Sequence, residues 1–553
     1  MKRLLPLVVL LLIAATSVAQ YGNEWVDHER RYWKFEVYAN GTYRIDLTAL
    51  ANSGFPVSQV DPRHLMLFGK EQQVPIYVEG EADGEFNPGD FIEFRAEKAD
   101  GTVDSRLYPY PLANPNPYYS LYNDTLRYYL TWDEQAPVQH IVPYSNSNIN
   151  AHLPRPWVWT EAVRTYSDFY WIGYIDTGLG GQGITATNAM MIESEGFGGP
   201  PLFNNGSAVV DVQDASVLTP GAYTLADAPD ARVTAVCAAL NNDGGTNQMD
   251  HHLRFLYGPG FSNVALDSVF NGSRVVRKTF DMPASMVGPS VAVRYNVPHD
   301  LYTPLGLIGN PNYLDWQAPS SLGVRYARSL AIGNGDPLLA STPYEASDPL
   351  VRLDVSAFTG TPVIYAWGDT VRRITPTFNG ASWPALFPQA PGTSGTQTYL
   401  FSQEAVVPIT ALRPVNGTGF FTDYGALNVD SAMLIVAHSS LMSGAQAYAN
   451  YRQNESEVRY NVLLTDVDEL YDQFGGGVPK HAGAIRMFCK FLLDTWSTDP
   501  RALFLIGKSV NTWPAFGING LPSVRPNSGD AYANNLVPTY GYPSSDQCFT
   551  TGL

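Results

Sequence analysis

The decapeptide RALFLIGKSV, residues 501–510, can be taken in two incompatible ways. Its Gly507-Lys508-Ser509 ends like a nucleotide-binding P-loop, whereas Leu503-Phe504-Leu505-Ile506 is an unbroken apolar run. A P-loop curls backbone amides around phosphate and needs a glycine five residues ahead of the Gly-Lys pair. Ala502 stands there instead, so the stretch reads as a buried strand with Lys508 at its exit and no phosphate cradle in front.

The neighbouring sequence supports the strand. SAMLIVA (431–437) is a continuous apolar run, Leu441, Ala445 and Tyr448 then recur at helical spacing, and YNVLLTDV (460–467) is a second strand. Ile485, Phe488, Cys489, Leu492 and Trp496 share one helical face, and the 502–506 strand follows. Strands that alternate with helices in this way predict βαβ units and a parallel sheet covered on both faces. Functional groups in such sheets gather beyond the carboxyl ends of the strands. That rim would carry His438, Asp466, Asp468, Lys508 and Ser509, and Gly-Lys-Ser becomes the exit from a central strand.

Upstream the sequence pattern is different. MKRLLPLVVLLLIAATSVAQ has a basic start, an apolar core and a small-residue Ser17-Val18-Ala19 motif, which predicts a secretory signal peptide cut after Ala19. No later run is long and apolar enough to span a bilayer. The net charge of -18, without a Lys/Arg cluster, argues against nucleic acid or an anionic membrane as partner. Cys237, Cys489 and Cys548 are the only cysteines, too few for a disulfide framework in an exported chain. Abundant Tyr, Phe, Gly and Pro favour strands and tight turns.

Residues 20–138 read as a β domain, with Asn40-Gly41 in WKFEVYANGTYRIDL as a hairpin signal and Asn87-Pro88-Gly89-Asp90 as a second turn. Residues 139–313 read as a β-sandwich, and 314–414 as a β-rich module or an extension of it. Residues 415–553 make the α/β unit.

Several groups could carry chemistry. Cys489 lies on an apolar helix face and Cys237 in the apolar RVTAVCAAL, so both read as core thiols. Cys548 sits near the rim without a histidine close in sequence. His438 ends a strand and reads as a loop anchor, with Ser439 or Ser440 as helix cap. Asp466 and Asp468 could be rim carboxylates or cation ligands, and Asp466 could equally cap the next turn. Asp250-His251-His252 suggests a metal site, but adjacent strand residues face opposite ways and cannot easily share one ion. The oxygen-rich 241–250 stretch could hold Ca2+, although a plain turn explains it as well. Tyr118 and Tyr119 could stack on sugars in a glycan-binding sandwich, or simply pack. No Gly-x-Ser-x-Gly elbow is present, which leaves a serine hydrolase unsupported.

Residues 430–477, with HAGAIRMFCKFLLDTWSTDPRALFLIGKS (481–509) and VPTYGYPSSDQCFTTGL (537–553), resemble the start of a gingipain-type cysteine peptidase domain. YRIDLTALANSGFPVSQVDPRHLMLFGKEQQVPIYV (43–78), NPGDFIEF and NPYYSLYNDT resemble the amino-terminal region of sortase-like members linked to type IX secretion. The resemblance implies β-rich modules before a caspase-like parallel sheet, a protein or peptide substrate, secretion-machinery partners, and hydrolysis by a Cys/His pair. The histidine would lie in Gly-His-Gly and the cysteine on a following strand end. None of the nine histidines here is followed by glycine, so no dyad can be named and the α/β domain is expected to be incomplete. The resemblance does place Asp546 on an aspartate of the family pattern, leaving Asp546, His438, Asp466 and Lys508 as the candidate rim. The alternative reading is a noncatalytic surface protein that binds protein or glycan.

Overall fold

A computed structural model describes residues 20–172, 175–176, 190–204, 209–242, 249–298, 300–301, 315–510, 525–526, 529–541 and 544–553. Residues 1–19, read above as a signal peptide, lie outside them.

The amino-terminal domain is a sandwich of two sheets. One has the order 413–414, Trp33–Val37, Leu126–Trp132, Leu65–Gly69 and Gln72–Val74; the other has Val407–Ile409, Gly41–Asp46, Phe91–Ala96 and Ile76–Val78. Strand alternation turns Trp33, Phe35 and Val37 inward against Tyr43, Ile45, Ile92 and Phe94, all buried. The same alternation turns Lys34, Glu36, Arg127 and Tyr129 outward.

Asn40-Gly41 does not make a hairpin. Trp33–Val37 and Gly41–Asp46 belong to different sheets, so the turn is a corner between layers. Each strand finds its partners far away in sequence, which local turn chemistry cannot show. The turn at Asn87 does form, the Asp90 amide donating to the Asn87 carbonyl at 3.0 Å, within the connection that pairs Ile76–Val78 with Phe91–Ala96. The chain also returns late to this domain: Val407–Ile409 and 413–414 complete its two sheets.

A nine-stranded sheet spans both of the middle regions, with Gln317–Arg328 and Val158–Thr165 near its centre. A four-stranded sheet packs on one half through Val233, Cys237, Phe255, Val293 and Tyr295, and the paired strands Leu350–Val355 and Trp383–Pro388 cover the other. The amino-terminal sandwich meets this sheet through Glu93. Its buried carboxylate accepts from Arg44 at 2.7 Å, Arg373 at 3.0 Å and the Tyr365 hydroxyl at 2.8 Å.

The carboxyl-terminal unit is the parallel sheet expected from its sequence pattern. Met433–Ala437 is central, with Val462–Asp466 on one side and Ala502–Ile506 on the other, both parallel to it. Helix Met442–Asn450 lies on one face, and Val467–Phe474 and Gly483–Thr495 on the other. Ile485, Phe488, Cys489 and Leu492 point into the core as their spacing predicts, and Trp496 closes the helix by donating Nε1–H to the Tyr424 carbonyl at 2.8 Å. Ala502–Ile506 is, however, an edge strand among the described residues, and Phe504 is 40% exposed. The apolar run reads as buried because it could be covered on both faces; among the described residues, Tyr448 is the aromatic ring stacked on Phe504, at 5.0 Å.

Candidate active-site rim

The three strands end level. Ala437 pairs with both Asp466 and Ile506, so Asp466 is the last paired residue of its strand and His438 and Gly507 emerge one residue beyond it. Gly507 packs closely, since a Cβ there would sit 2.5 Å from Val537 Cγ2. The Lys508 carbonyl accepts from the Leu536 and Val537 amides at 2.8 and 3.2 Å, and its side chain is exposed. The Gly-Lys-Ser motif is thus a close-packed strand exit.

His438 is a cap in its own right. Its amide donates to the Ile506 carbonyl at 3.2 Å, while Nδ1 accepts from the Ser440 amide at 3.2 Å and starts the short turn Ser439–Leu441. The cap is therefore the imidazole, not the Ser439 or Ser440 hydroxyl. Asp466 caps helix Val467–Phe474, accepting from the Asp468 amide at 3.0 Å. Burial pushes its carboxyl up, with a smaller opposing pull from that amide.

Asp546 is exposed in the turn Asp546–Phe549 and accepts from Thr539 Oγ1 at 3.4 Å. It borders a cleft of about 580 Å3 with Leu434, Cys489, Leu503 and Leu505, along the open side of the edge strand. Among the described residues no hydrogen bond joins Asp546 to His438, Asp466 or Lys508. The structure therefore sets His438 and Asp466 at adjacent strand ends, Lys508 two residues beyond the end of the third strand, and Asp546 along the flank.

Asp468 turns away from the rim into a junction the sequence did not reveal. Helical i, i+4 spacing places Asp468 and Asp472 on one face, opposite Lys34, Arg127 and Tyr129 of the amino-terminal sheet. Asp472 is fully buried and accepts from Lys34 Nζ, from Arg127 Nη1 at 2.8 Å and from Tyr129 Oη at 2.8 Å. Asp468 takes Arg127 Nη2 at 2.7 Å and Lys34 Nζ at 3.0 Å. Burial alone would raise the Asp468 carboxyl, but the two cations outweigh it and hold it well below the usual range. The Arg127 amide also donates to the Gly477 carbonyl at 3.0 Å. The available signals were polar residues alternating on apolar strands and two carboxylates four apart on a helix. Neither names its partner.

The described cysteines are all free and buried, and none is hydrogen-bonded to a histidine among the described residues. Burial raises each thiol, Cys489 to about 12. Such thiols stay protonated and are poor nucleophiles. Among the described residues no group of three or more His, Cys, Asp or Glu could hold a metal. The middle of the Ca2+ candidate, 243–248, lies outside them. Tyr118 is 40% exposed, whereas Tyr119 is covered by the Arg525 guanidinium, 4.0 Å from its ring centre, and by Phe197. Among the described residues no helix is long and apolar enough to cross a membrane.

Residues 427–552 match the model of Peptidase family C25. No curated protein matches the chain. The crystal structure of dimeric latent PorU from Porphyromonas gingivalis is similar over 94% of this chain and 46% of that chain, with 14% identity and a TM-score of 0.53. The chain thus spans about half the length of that PorU chain. An infectious bursal disease virus (Gx strain) structure aligns with 73% of this chain and 87% of that chain at 9% identity, with a TM-score of 0.11, too low for a shared fold. The gingipain-type resemblance accordingly holds in residues 427–552, a Peptidase family C25 segment, on a chain whose fold resembles that of PorU.

Proposed function

We propose that residues 1–553 are the amino-terminal portion of an exported gingipain-type cysteine peptidase, of the sortase-like kind linked to type IX secretion, with its Cys/His dyad lying outside these residues. One observation carries the reading. Among the described residues, the family C25 segment forms a parallel three-stranded sheet whose level carboxyl ends make an open rim, yet the cysteines are buried thiols raised by burial. A cysteine peptidase needs a thiolate beside an imidazole, and no such pair exists among the described residues. In this reading the β modules hold the peptidase unit in place, the substrate is protein or peptide, the site is exported to the periplasm or cell surface, and His438, Asp466, Lys508 and Asp546 border the site without performing the attack.

The test is to sequence the gene past codon 553. A continuing frame with a Gly-His-Gly segment and a strand-end cysteine, whose replacement by alanine abolishes peptide cleavage by the full product, supports the reading. A frame without these residues overturns it.

A further inference from the structure

His251 and His252 open the strand His251–Tyr257, at the sandwich's four-stranded sheet. His251 is fully buried. Its Nδ1 lies 2.7 Å from Asp315 Oδ1 and its Nε2 2.9 Å from the Asn241 carbonyl oxygen, with Asp250 Oδ1 3.6 Å from Nε2. His252 points the opposite way, Nδ1 2.6 Å from Asp300 Oδ1 and Nε2 2.7 Å from Asp267 Oδ1. All four ring nitrogens therefore face acceptors. A neutral imidazole has one N–H and one lone pair and can donate to only one of two opposed acceptors, so with the aspartates ionised this arrangement is fully satisfied only by the doubly protonated ring in both residues. Two neighbouring cations are tolerated because alternation sends them to different carboxylates.

The remaining groups facing the pair fit this state. Asp315 also accepts from the His252 amide at 3.0 Å and from Gln317 Nε2 at 2.9 Å, and Phe270 stacks on His251 at 5.1 Å. Two cations lie near among the described residues: Arg254, engaged by Asp267 at 2.9 Å, and Arg274, over the Phe270 ring at 5.3 Å. Burial disfavours charge on both imidazoles, but the bonds to Asp315, Asp300 and Asp267 outweigh it, so both pKa values are raised.

Asp315 and Gln317 lead into the long central strand of the nine-stranded sheet, while Asp267 belongs to the neighbouring strand Asn263–Phe270. We propose that His251 and His252 form a proton-operated clasp, in which the His251 ring joins the four-stranded sheet to Asp315 at the head of the nine-stranded sheet and the His252 ring ties its own sheet to Asp267 and Asp300, closed while both rings are doubly protonated and released as pH rises. A raised histidine stabilises fully below its unfolded pKa of about 6.5, and the contribution is lost as pH climbs through the folded value. The inference is independent of the peptidase reading.

The test is hydrogen exchange by mass spectrometry on the full chain from pH 5.5 to 8.5, corrected for intrinsic rates and followed in peptides covering 249–257 and 315–322. Protection there should fall severalfold as pH rises across the range, in the direction set by the raised imidazoles. In His252→Gln, which places an uncharged donor at the less deeply buried of the two rings, the pH dependence should be smaller. Side-chain nitrogen NMR supplies a readout that does not depend on a variant folding: both rings should show two protonated nitrogens at pH 6. Neutral rings at pH 6, pH-independent protection in the native chain, or an unchanged pH dependence in a folded His252→Gln chain would each overturn the clasp.

Discussion

Replacing Asp472 by asparagine tests how the family C25 segment is held. The carboxylate has no exposed surface and accepts three bonds, from Lys34, Arg127 and Tyr129, of which two come from cations. Asparagine keeps the volume and one acceptor but removes the negative charge between two nearly buried cations. Breaking a buried ion pair from one side costs about 3–5 kcal/mol, because the remaining charge is left desolvated. Asp468 offers an internal control. It contacts the same cations, but its side chain is 40% exposed, so solvent can replace it. Asp468→Asn should cost about 1 kcal/mol or less. Urea unfolding of the full chain, read by fluorescence and by proteolysis of residues 430–506, should show Asp472→Asn releasing the α/β segment at markedly lower urea than Asp468→Asn. Equal effects, or an Asp472→Asn chain indistinguishable from wild type, would refute the idea that a buried charge cluster sets this junction.

Three further outcomes follow from the geometry. Glu195 is fully buried, takes the Tyr170 hydroxyl at 2.7 Å, and has its carboxyl pushed up by burial to about 8. The folded state then holds a proton that the unfolded state releases above about 4.5, so stability should fall between pH 4.5 and 8 by about 4–5 kcal/mol, and Glu195→Gln should flatten that part of the profile in thermal melts. Gly477 has φ +79°, and a Cβ there would lie 2.9 Å from the Arg127 carbonyl oxygen, so Gly477→Ala should lower the thermal midpoint by loosening the same junction, at a cost of about 1–3 kcal/mol. Because Cys237, Cys489 and Cys548 are buried, Ellman's reagent should label none of them rapidly in the native chain and all three in guanidinium.

The parallel sheet was legible because its strands are short apolar runs separated by helical periodicity, and the core face of Gly483–Thr495 followed directly from 3.6-residue spacing. Helix Val467–Phe474 was not: with eight residues beginning immediately after a strand, it read only as a capped turn. Sheet membership was illegible wherever partners are remote. Val407–Ile409 pairs with Gly41–Asp46, and nothing in either segment names the other. The same limit hid the junction, since Lys34 and Asp472 are 438 residues apart and each alone resembles an ordinary surface charge. Of the candidate rim, His438, Asp466 and Lys508 were read from strand ends, whereas the position of Asp546 depends on how the turn Asp546–Phe549 packs against helix Gly483–Thr495, where Arg486 holds the Cys548 carbonyl.

The most direct measurement is hydrolysis of a broad panel of fluorogenic peptides by purified residues 1–553, with and without prior treatment by iodoacetamide. The account predicts no cleavage above background and no effect of the alkylator. Turnover that iodoacetamide abolishes would show a reactive thiol working within these residues, and would contradict both the structural role given to the three cysteines and a dyad lying elsewhere.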